Sequence, residues 1–384
     1  MKILYLYFSY VNTNNWIKAS FTQVFEMANA LSNNENVEVI LGVPKQHLSI
    51  YQNAQLKTLG SDIPDFKIDY YMQWFKNQRL NRFLLFFYVL KIIRKHKPDI
   101  VYTRDIVILF SSVFNKSISY CYESHNSLLH NESKVIDRIL KKLFLWISKR
   151  KNVKKIIPIS INLSRFWIKT GLPESKMLPL HDGFSNKLFD KEVSIRNARN
   201  ILNYPLDQKI VVYLGSLYED REIVAILNLA HLYKDVTFKI IGGPMEVIPA
   251  LKKKCIEQNI NNINFLGVIN HNEIAHYLYS ADVLLALWSS KVPTINYCSP
   301  LKLFEYMASG RIIVAHGFPT IREVLSHEEN AFLVEPDSPD DLSENFDKAI
   351  HTDYPAIIAS KARKLAMEKY SWNQRAKTLL ENIG

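Results

Sequence analysis

The stretch Ser299 to Leu325, SPLKLFEYMASGRIIVAHGFPTIREVL, sets a Lys and a Glu three residues apart inside a segment that otherwise reads as buried. Pro300 suits a helix start because its missing N–H would have no partner there, Ser299 before it is a fair N-cap, and Gly310 ends the helix. Leu301, Phe304 and Met307 are spaced for the core, which leaves Lys302 and Glu305 on a different face. A helix N-terminus carries partial positive charge and unpaired N–H groups, so with the Lys302 ammonium beside it that end can hold a phosphate. One turn later, Glu305 is placed to accept hydrogen bonds from a ribose diol. A plain surface ion pair at i,i+3 fits the same two residues, and the spacing alone does not separate the readings.

A second group lies in YCYESHNS, where Glu123 and His125 are two apart at the end of a predicted strand, hence on one face and at the carboxyl edge of a sheet. Ligands of open α/β sheets bind at that edge. His125 also fits a core histidine satisfied by a backbone carbonyl, and Glu123 fits a strand-end acid paired with an arginine such as Arg104. The polar loop YVNTNNWIKA, with Asn14, Trp16 and Lys18, sits at the carboxyl end of the first strand and is a third candidate. The three cysteines (Cys121, Cys255, Cys298) have neither paired nor metal-like spacing, so no disulfide and no metal site is expected, and a reducing compartment is.

These residues need a scaffold with strand ends at the site. Short β-rich runs alternate with helical patterns along all 384 residues, as in parallel sheets covered by helices. KILYLYFS, VEVILGV, DIVYTR, ISYCYES and KKIIPIS precede a composition break near LPLHDGFSNKLFDKEVS. KIVVYLG, TFKIIGG, NINFLGV, DVLLALW and RIIVAHG follow it. Five strands on each side predict two open sheets, in domains 1–186 and 187–360, with a last helix over 361–384 packing back toward the first. After the first strand, Ser20 and Gln23 fit a capping box, and Phe21, Val24, Phe25, Ala28 and Leu31 form a helical stripe.

The formal net charge is +11, but residues 1–190 hold 27 Lys and Arg against 14 Asp and Glu, while the remainder is slightly acidic. The first half should therefore seek an anionic partner. Met72 to Lys97 holds seven basic residues and no acid, with Trp74, Phe75, Phe83, Phe86, Phe87 and Tyr88 interleaved; Glu132 to Lys155 holds nine basic residues and two acids. In the latter, Ile136, Leu140, Leu143 and Ile147 line one helical face and Lys134, Arg138, Lys141 and Lys142 flank it, the pattern of an interfacial helix. A core helix with a solvated basic face has the same pattern. No zinc spacing, RNP motif or helix-turn-helix supports nucleic acid as the polyanion. The N-terminus makes a poor signal peptide, and the apolar run Phe83 to Leu90 is far shorter than the ~20 residues of a bilayer span. A dinucleotide oxidoreductase would want Gly-x-Gly-x-x-Gly after the first strand, which is absent.

The opening segment resembles the donor-site signature of the retaining family 4 glycosyltransferases, of group 1 and GT-B fold, in the subgroup reading Ser-Pro-x-Lys-x-x-Glu-Tyr-Met-Ala. The similarity extends through ISINLSRFWIKTG, DGFSNKLF, VVYLGSLYEDREIVAIL, IIGGP, FLGVINHNEIAHYLYSADVLLALW and NAFLVEPDSPDDL. It implies an α/β protein of two Rossmann-like, doubly wound parallel-sheet domains facing across a cleft, the first taking the acceptor and the second a nucleotide-diphosphate sugar. By the resemblance Glu305 binds the ribose, and Lys302 and the amides around Leu301 face the diphosphate. Gly215, Ser216, Arg221, Gly243, Gly267 and Ser299 complete the donor site. Arg221, which otherwise fits a solvated residue at a helix start, would steady the departing diphosphate with Lys302; His125 would lie beside the donor sugar. Asn14, Trp16, Lys18, Arg104 and Glu123 would line the cleft.

The chain departs from the family pattern: Cys298, Ser299 and Pro300 replace the Gly-rich lead-in to the helix, and the Gly pair common in the loop around Asn14, Trp16 and Lys18 is absent. Ser216 stands where an Arg is usual, and Tyr297 stands where many members have a second Glu, eight positions before Glu305. The expected activity is metal-independent transfer with retention, without bound cofactor, to a lipid-linked or surface-polysaccharide acceptor. The expected location is cytoplasmic and peripheral, on the inner membrane face, where each basic group near anionic lipid contributes ~1 kcal/mol. The alternative is a catalytically degenerate GT-B protein that binds a nucleotide or a partner.

Overall fold

The computed structural model describes residues 1–8, 19–44, 66–71, 78–127, 134–218 and 222–384. Twelve strands occur among them: β1 (Lys2–Leu6), β2 (Glu38–Pro44), β3 (Lys67–Tyr71), β4 (Ile100–Thr103), β5 (Ser119–Ser124), β6 (Val153–Pro158), β7 (Lys209–Leu214), β8 (Val236–Ile241), β9 (Ile263–Gly267), β10 (Val283–Ala286), β11 (Ile312–His316) and β12 (Phe332–Val334). They form two parallel six-stranded sheets, ordered β3-β2-β1-β4-β5-β6 and β12-β11-β10-β7-β8-β9. The expected α/β, doubly wound architecture is present. The two strands beyond the expected ten are β3 and β12, each at a sheet edge. β3 (KIDYY) is largely half-exposed and carries two charges, and β12 is three residues long, so neither writes a clear apolar run.

The chain divides into two compact units. The first comprises Met1–Asp182, Tyr297–Ser299 and Trp372–Gly384, and the second comprises Gly183–Asn296 and Pro300–Ser371. The terminal helical pattern is two helices, Pro355–Lys369 in the second unit and Trp372–Ile383 in the first. They part at Tyr370, whose carbonyl accepts the Phe184 N–H at 3.0 Å instead of an N–H from a following turn.

In the first unit, one sheet face is covered by the helices Gln78–His96, Ile106–Phe110, Lys134–Ser148 and Ile161–Lys169. Leu85, Val89, Ile92, Leu109, Phe144, Ile147, Leu163 and Trp167 form a single core there with Leu4, Val101, Tyr120 and Ile156. Helix Lys134–Ser148 is therefore a core helix. Phe144 and Ile147 are buried and Leu143 packs against them, so its apolar face is not free to lie in a membrane. Trp74 and Phe75 fall outside the described residues. In the second unit the core joins Val211, Tyr213, Phe238, Ile240, Leu285, Val314 and Phe346.

Strand order reverses beside the first strand of each sheet. The switch point lies between β1 and β4 in the first unit and between β7 and β10 in the second. Loops on either side of a switch point leave in opposite directions and open a crevice at the carboxyl ends of the strands.

Candidate functional site

In the second unit the helix Leu301–Ser309 lies against the β7/β10 switch point. Tyr306 holds it there: its buried hydroxyl accepts the Leu214 N–H at 2.8 Å and donates to the Leu285 carbonyl at 3.3 Å, tying the helix to both strands. At the far end Gly310 takes the left-handed conformation (φ 63°) that terminates helices, and the Arg363 guanidinium donates to the Ala308 carbonyl and, at 3.0 Å, to that of Phe189. From Leu303 to Ser309 every residue is buried, so the expected split into core and open faces does not occur. Leu301 and Lys302 are half-buried, and they form the accessible end. Pro300, not Ser299, occupies the N-cap position and no side chain caps the first turn. The Ser299 hydroxyl, in the first unit, accepts the Asp182 N–H at 2.8 Å.

The Lys302 ammonium lies 4.4 Å from the ring centres of both Tyr213, near the end of β7, and Trp288, just past β10. Two aromatic faces thus hold a cation at the switch point. A Cβ at Gly215 would come within 3.3 Å of the Lys302 Nζ, so the chain after β7 passes directly beside the charge. The Tyr213 hydroxyl donates to the Ser216 carbonyl at 2.9 Å. Backbones crowd here as well. Gly242 has φ 137°, and a Cβ there would sit 1.7 Å from the Gly215 carbonyl oxygen. The loops after β7, β8 and β9 are stitched by Gly215 N–H to Ile241 O, Leu217 N–H to Gly243 O and Gly242 N–H to Gly267 O, at 2.7–2.9 Å. The Gly242 contact therefore admits no side chain.

Glu305 is buried (6% exposed), and its Oε1 lies 2.7 Å from His271 Nε2, at the start of the helix His271–Ser280. The plain Lys302–Glu305 surface pair is not what forms: Lys302 sits between rings and Glu305 meets His271. Nearby His316 is buried at the end of β11 with Nδ1 2.7 Å from the Trp288 carbonyl. Burial lowers its pKa and outweighs the Trp288 carbonyl and the Glu222 and Asp337 charges, which favour the imidazolium, so the ring is neutral. Arg221 lies outside the described residues.

In the first unit, Glu123 near the end of β5 is fully buried at the centre of a polar network. Its Oε1 accepts from His125 Nε2 at 2.5 Å and from Gln23 Nε2 at 3.1 Å; its Oε2 accepts from the Tyr102 hydroxyl and from Arg375 Nη2 at 3.0 Å. Gln23 Nε2 also donates to Asp182 Oδ1 at 2.6 Å, and Gln23 Oε1 accepts from Arg104 Nη1 at 2.6 Å. Gln23 is thus a bridge between two carboxylates rather than half of a capping box, and Ser20 meets the Tyr7 hydroxyl at 3.0 Å. Arg104, the anticipated partner of Glu123, bonds Gln23; the ion-pair partner is Arg375, which also donates to the His181 carbonyl at 2.8 Å.

Burial works against the Glu123 charge, but Arg375, His125 and Arg104 outweigh it and hold its carboxyl well below the usual range. Burial, then the positive Arg104, push His125 down to about 4. Burial pushes Asp182 up to about 7, against the pull of Arg375. An ionised carboxylate can only accept, so His125 donates through Nε2 and Nδ1 keeps its lone pair. Asn14, Trp16 and Lys18 lie outside the described residues. Tyr297 packs against Phe166, ring centres 5.6 Å apart, and its carbonyl accepts from the Ser160 hydroxyl at 3.0 Å.

Asp182, Tyr213, His271, Trp288, His316 and Arg375 carry no site expectation from the sequence, and Gln23 only a capping one. Tyr213, Trp288 and His316 had a local signal, standing near the carboxyl ends of expected strands. The others meet their partners only through tertiary folding. Among the described residues no group of three or more His, Cys, Asp and Glu side chains could hold a metal ion.

Two sheets of this topology, each with its switch point, have counterparts among solved structures. An Anabaena protein, HepE, solved in complex with UDP-glucose, superposes with TM-score 0.73 over 99% of both chains at 18% identity. The fold is GT-B. Within this GT-B chain, residues 208–352 match the family model Glycosyl transferases group 1, which covers Gly215, Trp288, Lys302 and Glu305. An uncharacterized glycosyltransferase of Methanocaldococcus jannaschii is 24% identical over 53% of this chain and 53% of its own. The lipopolysaccharide 1,2-N-acetylglucosaminetransferase of Salmonella typhimurium is 24% identical over 60% of this chain and 62% of its own. The chain thus spans little more than half the length of these curated relatives.

Proposed function

We propose that the chain is a retaining glycosyltransferase. It moves a sugar from a nucleotide-diphosphate donor to a lipid-linked or surface-polysaccharide acceptor, as a peripheral protein on the cytoplasmic face of the membrane. The observation that carries the reading is the Lys302 ammonium, held between Tyr213 and Trp288 at the β7/β10 switch point with Glu305 buried one turn on. The second unit takes the donor. Lys302 and the N–H groups of Leu301 and its neighbours receive the diphosphate, Glu305 takes the ribose, and Gly215, Ser216, Gly243 and Gly267 let backbone approach the ligand. Arg221 is the second cation assigned to the leaving diphosphate. This reading gives charge stabilisation to Lys302, Arg221 and helix N–H groups rather than to a metal ion.

The first unit takes the acceptor, with His125, Glu123 and Arg104 as its described polar groups and Asn14, Trp16 and Lys18 as further candidates. Retention follows from a front-face route in which the leaving phosphate helps to deprotonate the acceptor hydroxyl, so no side chain is assigned as a covalent nucleophile. The HepE complex with UDP-glucose makes a UDP-sugar the first donor to try, and the lipopolysaccharide-acting relative supports a lipid-linked acceptor. Purified protein incubated with UDP-, GDP- and ADP-sugars, with and without membrane extracts, should release nucleotide and yield a product whose anomeric configuration, read by NMR, matches the donor. Tight nucleotide binding without release from any donor would instead favour a nucleotide-binding module.

No described helix is long and apolar enough to cross a membrane. Attachment in this reading is peripheral and uses the first unit. Phe83, Phe87, Lys91 and Arg94 form one exposed stripe on the helix Gln78–His96, and Phe114 joins them through Phe86, with ring centres 5.1–5.6 Å apart along the ladder. Helix Lys134–Ser148 exposes Ile139, Lys142 and Trp146. Aromatic rings among basic groups suit the boundary of an anionic bilayer. Sedimentation with liposomes should rise with the fraction of anionic lipid; binding indifferent to that fraction would count against it.

A further inference from the structure

We propose that Arg375, on the C-terminal helix, is a positioning residue: by engaging Glu123 it fixes His125 as a neutral imidazole donating Nε2–H to that carboxylate and keeping Nδ1 as an acceptor. The inference rests on the reading that His125 belongs to the reacting site.

A carboxylate beside a histidine ordinarily favours the imidazolium, because each charge stabilises the other. Glu123 is placed to do this, with Oε1 2.5 Å from His125 Nε2. Its charge is already engaged on the other side by Arg375 at 3.0 Å, the two side chains being 0% and 2% exposed. Four donors, from His125, Gln23, Tyr102 and Arg375, fill the carboxylate's accepting positions, so its orientation is fixed and with it the ring of His125.

Among the described residues, several elements bring polar or charged groups to this network. Tyr5 comes from β1, Gln23 from the helix Ala19–Ser32, Tyr102 from β4, Arg104 from the turn after it, Asp182 from the end of the unit's main segment and Arg375 from the helix Trp372–Ile383. Arg104 and Arg375 are fixed cations, Glu123 is ionised and Asp182 titrates near neutrality. A protonated His125 would be a third cation in a region nearly closed to water, and His125 is pushed down to about 4 accordingly. Take Arg375 away and Glu123 becomes an unopposed carboxylate in contact with the ring, which draws a proton to Nδ1 and abolishes the acceptor. Stability supplies no comparable reason for the pair, since well-packed apolar side chains commonly serve as well as a buried ion pair.

The test is an NMR titration of the full-length chain labelled on histidine, with H125A to assign the signal. In the wild type His125 should show one tautomer, protonated on Nε2, at pH 7, and should titrate far below an ordinary histidine. In R375M its midpoint should rise by about 1–3 pH units, and R375K should restore most of the shift. The acid limb of the transfer rate should move in parallel while the KM for the donor stays put, a split that loss of packing would not produce. An unchanged midpoint and tautomer in R375M, or a cationic His125 in the wild type at pH 7, overturns the proposal. Should R375M not fold, E123Q decides the matter: Arg375 and Tyr102 would hold the amide oxygen on their side and turn its NH2 to the ring, so His125 should switch to the tautomer protonated on Nδ1, and an unchanged Nε2–H tautomer is the contrary result. Wild-type transfer by H125A would be a different failure, removing His125 from the reaction whatever its titration shows.

Discussion

Glu305 and Lys302 make separable demands on a nucleotide. A carboxylate that accepts from a ribose diol makes charge-assisted hydrogen bonds of about 1.5–3 kcal/mol, so Glu305→Ala should weaken nucleotide binding roughly 10- to 100-fold by calorimetry. Unchanged affinity would remove the ribose assignment. Lys302→Met keeps an apolar stem between Tyr213 and Trp288 but discards the charge. It should weaken a nucleoside diphosphate far more than the nucleoside and flatten the salt dependence of binding; equal losses for both ligands would move Lys302 away from the phosphates. Lys302 and Glu305 were legible as a pair because a helix start, an ammonium and a carboxylate all fall within seven residues of sequence. Their partners were not. His271 precedes Glu305 by 34 residues, and Trp288 reaches Lys302 only because β10 lies next to β7.

At the scale of elements, the crevice depends on how closely the loops after β7 and β8 approach. A methyl group on Gly242 would collide with the Gly215 carbonyl and would also force a side chain into φ 137°. Gly242→Ala should therefore cost several kcal/mol of stability, read as a lowered melting temperature, with donor binding impaired at temperatures where the protein remains folded. A wild-type melting temperature would show that the two loops can separate freely. Ten strands declared themselves by β-rich composition between helical patterns, whereas β3 did not, its KIDYY being charged and largely half-exposed, nor did β12, which is three residues long. The terminal helical pattern was visible as periodicity, but its division at Tyr370 depends on a hydrogen bond from Phe184, 186 residues earlier.

For the molecule as a whole, acidity offers a test of the buried network. Asp182 is raised to about 7 from an ordinary 3.8, so folding favours its neutral form; that contribution is complete below 3.8 and is lost as pH rises through 7. His125 is lowered to about 4 from 6.5, so its contribution is present above 6.5 and is lost as pH falls through 4. The two opposing slopes nearly cancel across the same window. Asp182→Asn keeps an oxygen for Gln23 and removes one slope. The melting temperature of the variant minus that of the wild type should rise between pH 4 and pH 7 and then level, by about 2–4 °C for each kcal/mol. A difference that does not vary with pH would mean that Asp182 titrates as an ordinary carboxylate.

Local pattern was enough for the alternation of strands and helices, the basic first half and the helix bearing Lys302 and Glu305, because each is written in neighbouring residues and survives whatever packs around it. Which carboxylate is buried, which arginine answers it and which state a histidine adopts were settled by folding alone. Gln23, Glu123, Asp182 and Arg375 are brought together from across the chain, and removal from water sets the energy of charges that no stretch of sequence places side by side.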